Sequence, residues 1–391
     1  MIQAEVRHPS SLSPKDAYVW QAYCAATPAF RSPLLGPEFA QLVGRVRDDT
    51  RVAVFRRAGQ TLGFLAFHHR RGETARPIGA PFSDYHALIT APGAALSAGE
   101  ALAAAHIGAF RFNALVDPAG SFPDIQPSEL TGHVLELEGS TEDRHAALKA
   151  ANPKRYKNWK RLQSKLEREY GELELRPGAV SQADLDQLIC WKRDQYHRSG
   201  LHDVLRPDWA RALHQCAFEQ RDGELRGVLT TLHAGGRLVA GHFGVAAHGV
   251  HHTWLSAMDP DCASAGPGQV LMLMLPEVMS QLGLQTYDLG PGYTHYKAPF
   301  CTGEVTVGEG LAVADGPAGF AARRVEDAWT VAGAHRIEVV SRIRRRMDNI
   351  AAAEISLAGR VRGMVEALTG SSRRAACRET PAQPVHARDE A

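Results

Sequence analysis

The stretch TYDLGPGYTHYKAPF, residues 286–300, concentrates residue types that are suited to chemistry. Asp288 ends a short apolar run, and Tyr296 and Lys297 follow a Gly-Pro-Gly turn. A tyrosine and a lysine beside flexible backbone can donate a proton or stabilise an oxyanion. The chain has eight lysines, and Lys297 is the only one after Lys192. Three interpretations stay open: a phosphate-binding loop, a catalytic loop or an ordinary turn.

The composition is that of a globular protein with more than one domain. The chain has 391 residues, of which 44% are hydrophobic and 22% are charged. A net charge of +1 argues against an electrostatic nucleic-acid binder, so no specific DNA or RNA partner is expected. The six cysteines form no CxxC pair, which predicts neither a metal site nor a disulfide framework. The N-terminal residues lack the apolar core of a signal peptide, and we predict a cytoplasmic protein.

We predict a first α/β unit at residues 1–150, with a hairpin at 50–70. A basic helix at 151–171 follows, where Asn152 can cap and Pro153 suits the first helical position. One face of this helix is apolar and much of the rest is basic. It is either a solvated helix that joins two domains or a surface that meets an anionic substrate or carrier.

The second unit, residues 172–316, has a specific order of elements. Two helices precede a three-strand meander at 225–257, a glycine loop, an apolar helix that ends at Gly283 and a strand at 285–289. A glycine loop at a helix start leaves backbone N–H groups free to bind an anion. Because the loop follows antiparallel strands, an acyl-CoA site fits better than the nucleotide site of a βαβ fold.

The remainder of the chain is rich in Ala, Arg and Glu. Amphipathic helices are predicted between residues 318 and 369, as a helical extension at 317–370. Residues 371–391 are predicted to be disordered.

The loop Ala263-Ser264-Ala265-Gly266-Pro267-Gly268 resembles the Gln/Arg-x-x-Gly-x-Gly/Ala loop of GNAT-superfamily N-acyltransferases, with Ala263 in place of Gln or Arg. A closer resemblance is to the cellulose- and exopolysaccharide-biosynthesis acetyltransferases, which are near FemAB-type ligases. RPIGAPFSDYHAL at 76–88, the basic helix at 154–171 and YDLGPGYTHYK at 287–297 carry it. The resemblance implies an α/β (α+β) fold with mixed sheets: two tandem GNAT-like domains plus the extension.

The resemblance further implies that acetyl-CoA is the acyl donor and that no metal takes part. The expected donor contacts are Gly266, Pro267, Gly268, Gln269, Tyr287 and Gly290. Tyr287 and Gly290 belong to the gap expected where the strands at 250–257 and 285–289 splay apart. The catalytic candidates are Asp288, Tyr296, Lys297 and His242. An ordinary buried histidine is the alternative for His242, and a packed tyrosine and a surface lysine are the alternatives for Tyr296 and Lys297.

Other residues are candidates for binding the acceptor or a regulator. The acceptor candidates are Asp84, Tyr85, Trp191, Lys192, Gln195 and Tyr196, for which turn formation and ordinary packing are the alternatives. In the extension, Arg342, Arg345 and Arg346 form a basic cluster. Cyclic di-GMP, an anionic membrane surface and plain solvation are its competing interpretations.

The preferred function is acetyl-CoA-dependent N-acyl transfer to an amino sugar or lipid-linked glycan precursor. Exopolysaccharide biosynthesis is the expected setting, with holdfast polysaccharide as the favoured case because of the Arg-rich extension. A FemAB-like aminoacyltransferase is the second possibility. A catalytically degenerate GNAT pair that responds to cyclic di-GMP is the third. The sequence sets no oligomeric state.

Overall fold

The computed structural model describes residues 1–70, 74–123, 125–137, 139–292, 297–334 and 336–369, and shows a mixed α/β fold with two sheets. The predicted α/β class is therefore confirmed. The tail at 371–391, predicted to be disordered, lies outside the described residues, as does Tyr296.

The smaller sheet is formed by the N-terminal part of the chain. Its strands are β1 (Gln3–Arg7), β2 (Thr50–Arg57), β3 (Gln60–His68), β4 (Arg76–Pro77) and β5 (Leu88–Thr90). The helices of this part are α1 (Pro14–Ala26), α2 (Pro37–Gly44) and α3 (Ala98–Ala104). All its strand pairs are antiparallel, and β3 pairs with β2, β4 and β5. Ala58 and Gly59 both have positive φ in the turn of the β2–β3 hairpin, which confirms the hairpin predicted at 50–70.

The larger sheet has eight strands from both halves of the chain. They are β6 (Ala109–Leu115), β7 (Gln126–Glu136), β8 (Leu173–Arg176), β9 (Arg226–Ala234), β10 (Arg237–Ala247), β11 (Val250–Met258), β12 (Thr286–Pro291) and β13 (Gly303–Val313). Their spatial order is β6-β13-β7-β12-β11-β10-β9-β8. Among the strand pairs that the structure describes in this sheet, only β11–β12 is parallel. The sheet crosses residue 150, and the domain boundary there stays a prediction.

The predicted meander is β9, β10 and β11. Gly235 and Gly236 form the first turn, and His248 and Gly249 form the second, all with positive φ. Short turns of this kind hold neighbouring strands antiparallel, so the local sequence determined this part of the fold.

Five helices accompany the larger sheet. They are α4 (Thr141–Ala151), α5 (Pro153–Tyr170), α6 (Gln182–Arg198), α7 (Asp208–Glu219) and α8 (Pro267–Leu282). The predicted basic helix is α5: the Asn152 side chain accepts a hydrogen bond from Arg155 N at 3.0 Å, and Trp159, Leu162 and Leu166 are buried. None of the helices in the described ranges is long and apolar enough to cross a membrane.

The extension contains α9 (Pro317–Val331), α10 (Glu338–Ala353) and α11 (Leu357–Thr369), as predicted. Several of its acidic side chains pair with arginines of the rest of the chain. Arg111 bonds Glu326 at 2.7 Å and Asp348 at 2.9 Å. Trp209 Nε1 donates to the carbonyl of Ala353 at 2.8 Å. Because Arg111 lies on β6 and Trp209 on α7, the extension contacts both halves of the molecule.

We predict that Arg111→Met lowers the free energy of unfolding by about 2 kcal/mol, because two half-buried carboxylates lose a donor. Arg342→Met is the matched control: Arg342 pairs with Glu338 in solvent, with the two side chains 70% and 79% exposed. The control should change the free energy of unfolding by less than about 0.5 kcal/mol. Urea denaturation measures both, and equal effects would show that Arg111 does not hold the extension.

Candidate active site

A gap opens in the larger sheet between β11 and β12. Val250, His251 and His252 pair with Thr286, Tyr287 and Asp288, and the pairing stops there. Within the described strands, Thr253–Met258 have no partner in β12, although β11 runs on to Met258. The separation of these strands, which was expected from the resemblance, is therefore present. It leaves one backbone edge of β11 available to a ligand.

The glycine loop connects β11 to α8. A 3₁₀ turn at Pro260–Ala265 leads to Gly266, which has a left-handed backbone with φ of 61° and precedes Pro267, the first residue of α8. A Cβ on Gly266 would lie 3.0 Å from Leu162 Cδ1, whereas one on Gly268 would meet nothing closer than Met258 Sδ at 3.7 Å. The left-handed backbone therefore favours glycine at position 266. At position 268 a side chain would meet no close protein neighbour. Gln269 N donates to Gly266 O at 2.9 Å within the first turn.

The basic helix α5 borders this loop. Lys165 Nζ donates to the carbonyl of Ser264 at 3.1 Å and to its hydroxyl at 3.2 Å. Leu162, one turn earlier, contacts Gly266. The ammonium of Lys165 thus lies beside the loop in which Ala263 offers no polar side chain. The helix dipole of α8 and this lysine both favour an anion here.

A buried network lies at the point where the strands part. His252 Nε2 is 3.1 Å from Asp84 Oδ2, and His252 Nδ1 is 3.3 Å from Asp288 Oδ2. Tyr85 Oη donates to Asp288 Oδ1 at 3.1 Å, and Gly290 N donates to the same oxygen at 2.7 Å. Asp84 and Tyr85 belong to the loop before β5, so the network joins both halves of the chain.

The two carboxylates determine the protonation of their neighbours. Burial by itself lowers the pKa of an imidazole, but Asp288 and Asp84 raise the pKa of His252 from 6.5 to about 9. Burial and the charges of Asp288 and Asp84 raise the pKa of Tyr85 above its ordinary value. Tyr85 therefore stays a hydrogen-bond donor at neutral pH, and the carboxylates favour the protonated form of His252.

A lysine lies at each edge of the gap. Lys297 Nζ donates to the carbonyls of Leu289 at 2.5 Å and Gly290 at 3.4 Å. Lys192 Nζ donates to the carbonyl of Ser256 on β11 at 3.3 Å. Burial lowers the pKa of Lys297, and burial together with the charge of Lys297 lowers the pKa of Lys192 to about 8.

The structure brings many of the predicted site residues together. Those at or beside the end of the β11–β12 pairing are Asp84, Tyr85, Lys192, Asp288, Gly290 and Lys297. Lys192 lies 5.5 Å from the centre of the Tyr196 ring, as expected for residues four apart on a helix. Trp191 is half-buried against the core, and Gln195 is exposed.

His242 and Tyr287 form a separate buried pair, with Nδ1 and Oη 3.3 Å apart. Burial, with Lys297 and Lys192 nearby, lowers the pKa of His242 to about 3, so it is a poor proton acceptor. Since neighbouring residues of a strand point to opposite faces, Tyr287 lies on the other face of the sheet from Asp288. It packs among apolar side chains such as Trp159 and Met272.

The predicted regulatory residues lie on α10. Arg342 pairs with Glu338 at 2.6 Å, Arg345 is exposed and Arg346 is half-buried. Among the described residues, no group of three His, Cys, Asp or Glu side chains could hold a metal ion.

Sequence reasoning did not choose His252 from the histidines of the meander. Alternation along β11 separates His251 from His252 but does not say which of them meets a carboxylate. The register that places His252 beside Asp288 would have been the useful signal, and it depends on where two strands meet in space.

Comparison with known proteins assigns this region to a class. Residues 153–298 match the family model described as acetyltransferase (GNAT) domain. The match spans less than half of the chain, and includes α5, the meander, the glycine loop and β12. The protein is therefore an acyltransferase with a GNAT-type domain. None of the curated proteins compared with the chain matches it.

Several solved structures are similar to this chain over most of its length. A tandem GNAT protein from the clavulanic acid biosynthesis pathway is 14% identical, with a TM-score of 0.45 over 81% of this chain and 99% of that one. FemX is 12% identical, with a TM-score of 0.46 over 78% and 96%. L-PGS from Bacillus licheniformis is 12% identical, with a TM-score of 0.46 over 78% and 92%. At such identities the similarity says nothing about the substrate.

We predict that Gly290→Ala lowers the free energy of unfolding by about 2–3 kcal/mol. Gly290 has φ of 68°, and a Cβ there would lie 2.5 Å from Asp84 Oδ2. Gly93→Ala is the control, because Gly93 has φ of 74° with open space around it. The control should cost only the left-handed backbone, about 1 kcal/mol. Similar losses in both variants would mean that the Asp84 side chain moves aside without a further loss of stability.

Proposed function

We propose that the protein transfers an acyl group from an acyl-CoA thioester to the primary amine of a sugar or glycan precursor. One observation carries this proposal: β11 and β12 separate beside the glycine loop at the start of α8, and a carboxylate from the other half of the chain reaches the end of the gap. Acyl transfer needs a neutral amine, a place for the tetrahedral oxyanion and a proton for the departing thiolate.

Acetyl-CoA is the donor that we propose. Its pyrophosphate would bind the N–H groups at the start of α8, with Lys165 adding a positive charge. Its pantetheine amides would pair with the free edge of β11, because strand backbone without a partner offers donors and acceptors to an extended ligand. The thioester then reaches the end of the gap, near Asp84 and Lys297.

Asp84 is the group that we assign to the acceptor amine. Its side chain is 35% exposed, while the side chain of Asp288 is 4% exposed. A carboxylate in this position attracts an ammonium and accepts its proton, and a weakly basic sugar amine needs no stronger base. Lys297, and Tyr296 beside it in sequence, are proposed to serve the oxyanion or the thiolate.

Aminoacyl transfer in the manner of FemAB-type ligases is the second candidate. The basic side chains of α5 favour it, because an aminoacyl-tRNA would need a cationic surface next to the loop. Lys165 supplies one such charge at Ser264.

Exopolysaccharide biosynthesis, with holdfast as a particular case, is proposed as the setting on the resemblance alone. Cyclic di-GMP and an anionic membrane are the proposed ligands of the extension. Arg342 and Arg345 are exposed there beside apolar side chains such as Ile343 and Met347. A protein surface of this composition suits an anionic lipid surface as well as a nucleotide.

The decisive experiment determines which donor the protein binds and which acceptor it acylates. Calorimetry compares acetyl-CoA, CoA and cyclic di-GMP binding, and a thiol-release assay tests amino sugars, with aminoacyl-tRNA as the rival donor. Thiol release that depends on an amino sugar supports the proposal. Transfer from aminoacyl-tRNA alone would support the second candidate, and acetyl-CoA binding without turnover would indicate a degenerate enzyme.

The donor site predicts that Gly266→Ala weakens acetyl-CoA binding about tenfold, roughly 1.4 kcal/mol. The added Cβ strains the left-handed residue and presses on Leu162, so the loop N–H groups turn away from the phosphates. Gly283→Ala is the matched control, since Gly283 ends the same helix with φ of 65° in open space. Calorimetry should show unchanged affinity for the control, and equal affinities for all three proteins would place the phosphates elsewhere.

The acceptor site predicts that Asp84→Asn lowers kcat by roughly a hundredfold, because an amide cannot take the amine proton. Donor affinity should stay within about twofold, since Asp84 does not contact the phosphates. Asp186→Asn, an exposed carboxylate on α6, should match the wild type. A wild-type kcat in Asp84→Asn would remove Asp84 from the chemistry.

A further inference from the structure

His252 occupies a position that the proposed reaction does not by itself explain. Its side chain is fully buried, yet both ring nitrogens face carboxylates from different halves of the chain. A neutral imidazole has one N–H and could donate to only one of them. Nε2 forms a hydrogen-bond contact with Asp84, and Nδ1 lies within ion-pair distance of Asp288 without hydrogen-bond geometry. In a neutral ring the nitrogen without a proton would present its lone pair to a carboxylate, so this arrangement favours a ring that is protonated on both nitrogens.

We propose that His252, as an imidazolium ion bridging Asp84 and Asp288, is the positioning residue that holds Asp84 at the end of the strand gap. This inference rests on the proposed function, in which Asp84 receives the acceptor amine. The imidazolium ion links the two halves of the chain by ion pairs, at the end of the gap where the proposed acyl group would lie.

The geometry forms a closed ring around the imidazole. Asp288 binds one side of it and also accepts from Gly290 N. A Cβ on Gly290 would lie 2.5 Å from Asp84 Oδ2, so Asp84, the carboxylate on the other side of the imidazole, occupies space that only glycine leaves at this turn. Asp84 Oδ2 thus lies between the imidazole and the turn at Gly290. Without the imidazolium, two carboxylates would face each other across a buried space, and the more exposed one, Asp84, would swing away.

The surrounding charges determine the pH range over which the ion pairs of His252 stabilise the protein. The titratable and charged groups near His252 are Asp288 of β12, Asp84 and Tyr85 of the first half, His251 of its own strand, Lys297 after β12 and Lys192 of α6. Burial opposes the charge on His252, and Asp288 and Asp84 outweigh it, raising its pKa to about 9. The stabilisation is complete below pH 6.5 and is lost as the pH rises through about 9.

The test compares His252→Gln with His233→Gln. His233 is a buried histidine on β9 that lies 3.5 Å from Asp184 of α6. His252→Gln should lower kcat at least tenfold and leave acetyl-CoA affinity within twofold. The control should keep wild-type kcat. The stability difference between wild type and His252→Gln should shrink as the pH rises from 6.5 through 9. Wild-type kcat in His252→Gln would overturn the proposal.

A second measurement needs neither substrate nor a folded His252 variant. Nitrogen-15 NMR of the wild-type imidazole at pH 7.5 should show both ring nitrogens protonated. In Asp84→Asn the pKa of His252 should fall by about one unit or more, because one of its two carboxylates is gone. A neutral imidazole at pH 7.5 would overturn the proposal even if the enzyme is active. An imidazolium in a protein that turns over no amino sugar would instead refute the proposed function.

Discussion

The interruption of pairing between β11 and β12 is the constraint on which the site depends. Parallel strands that part in the middle of a sheet leave carbonyl and N–H groups that must find other partners. Lys297 binds the carbonyls of Leu289 and Gly290, and Lys192 binds that of Ser256. The two lysines therefore donate hydrogen bonds to some of the backbone carbonyls on either side of the gap. Each lysine thus has a structural role that does not depend on any role in chemistry.

The same gap explains why both halves of the chain are needed. The last paired residues, His252 and Asp288, project toward the loop before β5, which supplies Asp84 and Tyr85. Strands β6 and β7 continue the larger sheet past the gap, and the extension bonds to Arg111 on β6 and Trp209 on α7. The loop that carries Asp84 thus meets the larger sheet at its last paired residues, and the extension contacts the same sheet at β6.

Local sequence determines most of the elements and little of the site. The turns at Gly235-Gly236 and His248-Gly249, the cap at Asn152 and the apolar stripe of α5 are all short-range features, and each was predicted. Asp84 and His252 are 168 residues apart, and Tyr85 and Asp288 are 203 apart. No periodicity relates positions so far apart, so the stretch at 76–88 was implicated only by the resemblance. For the same reason His242 was the histidine predicted at the site, whereas His252 is the one that lies between the carboxylates.

The departure at Ala263 shows how structure alters the weight of a motif. In isolation, alanine where the resembled family has Gln or Arg argues for a weakened donor site. Lys165, however, reaches Ser264 from a helix 99 residues earlier in the chain, and Leu162 beside it packs on Gly266. A positive charge from a different element therefore lies beside the loop, 3.9 Å from the carboxylate of Glu169 on the same helix, and Gly266 precedes α8 in a left-handed conformation. A motif judged residue by residue leaves out such a neighbour, because α5 is distant from the loop in sequence.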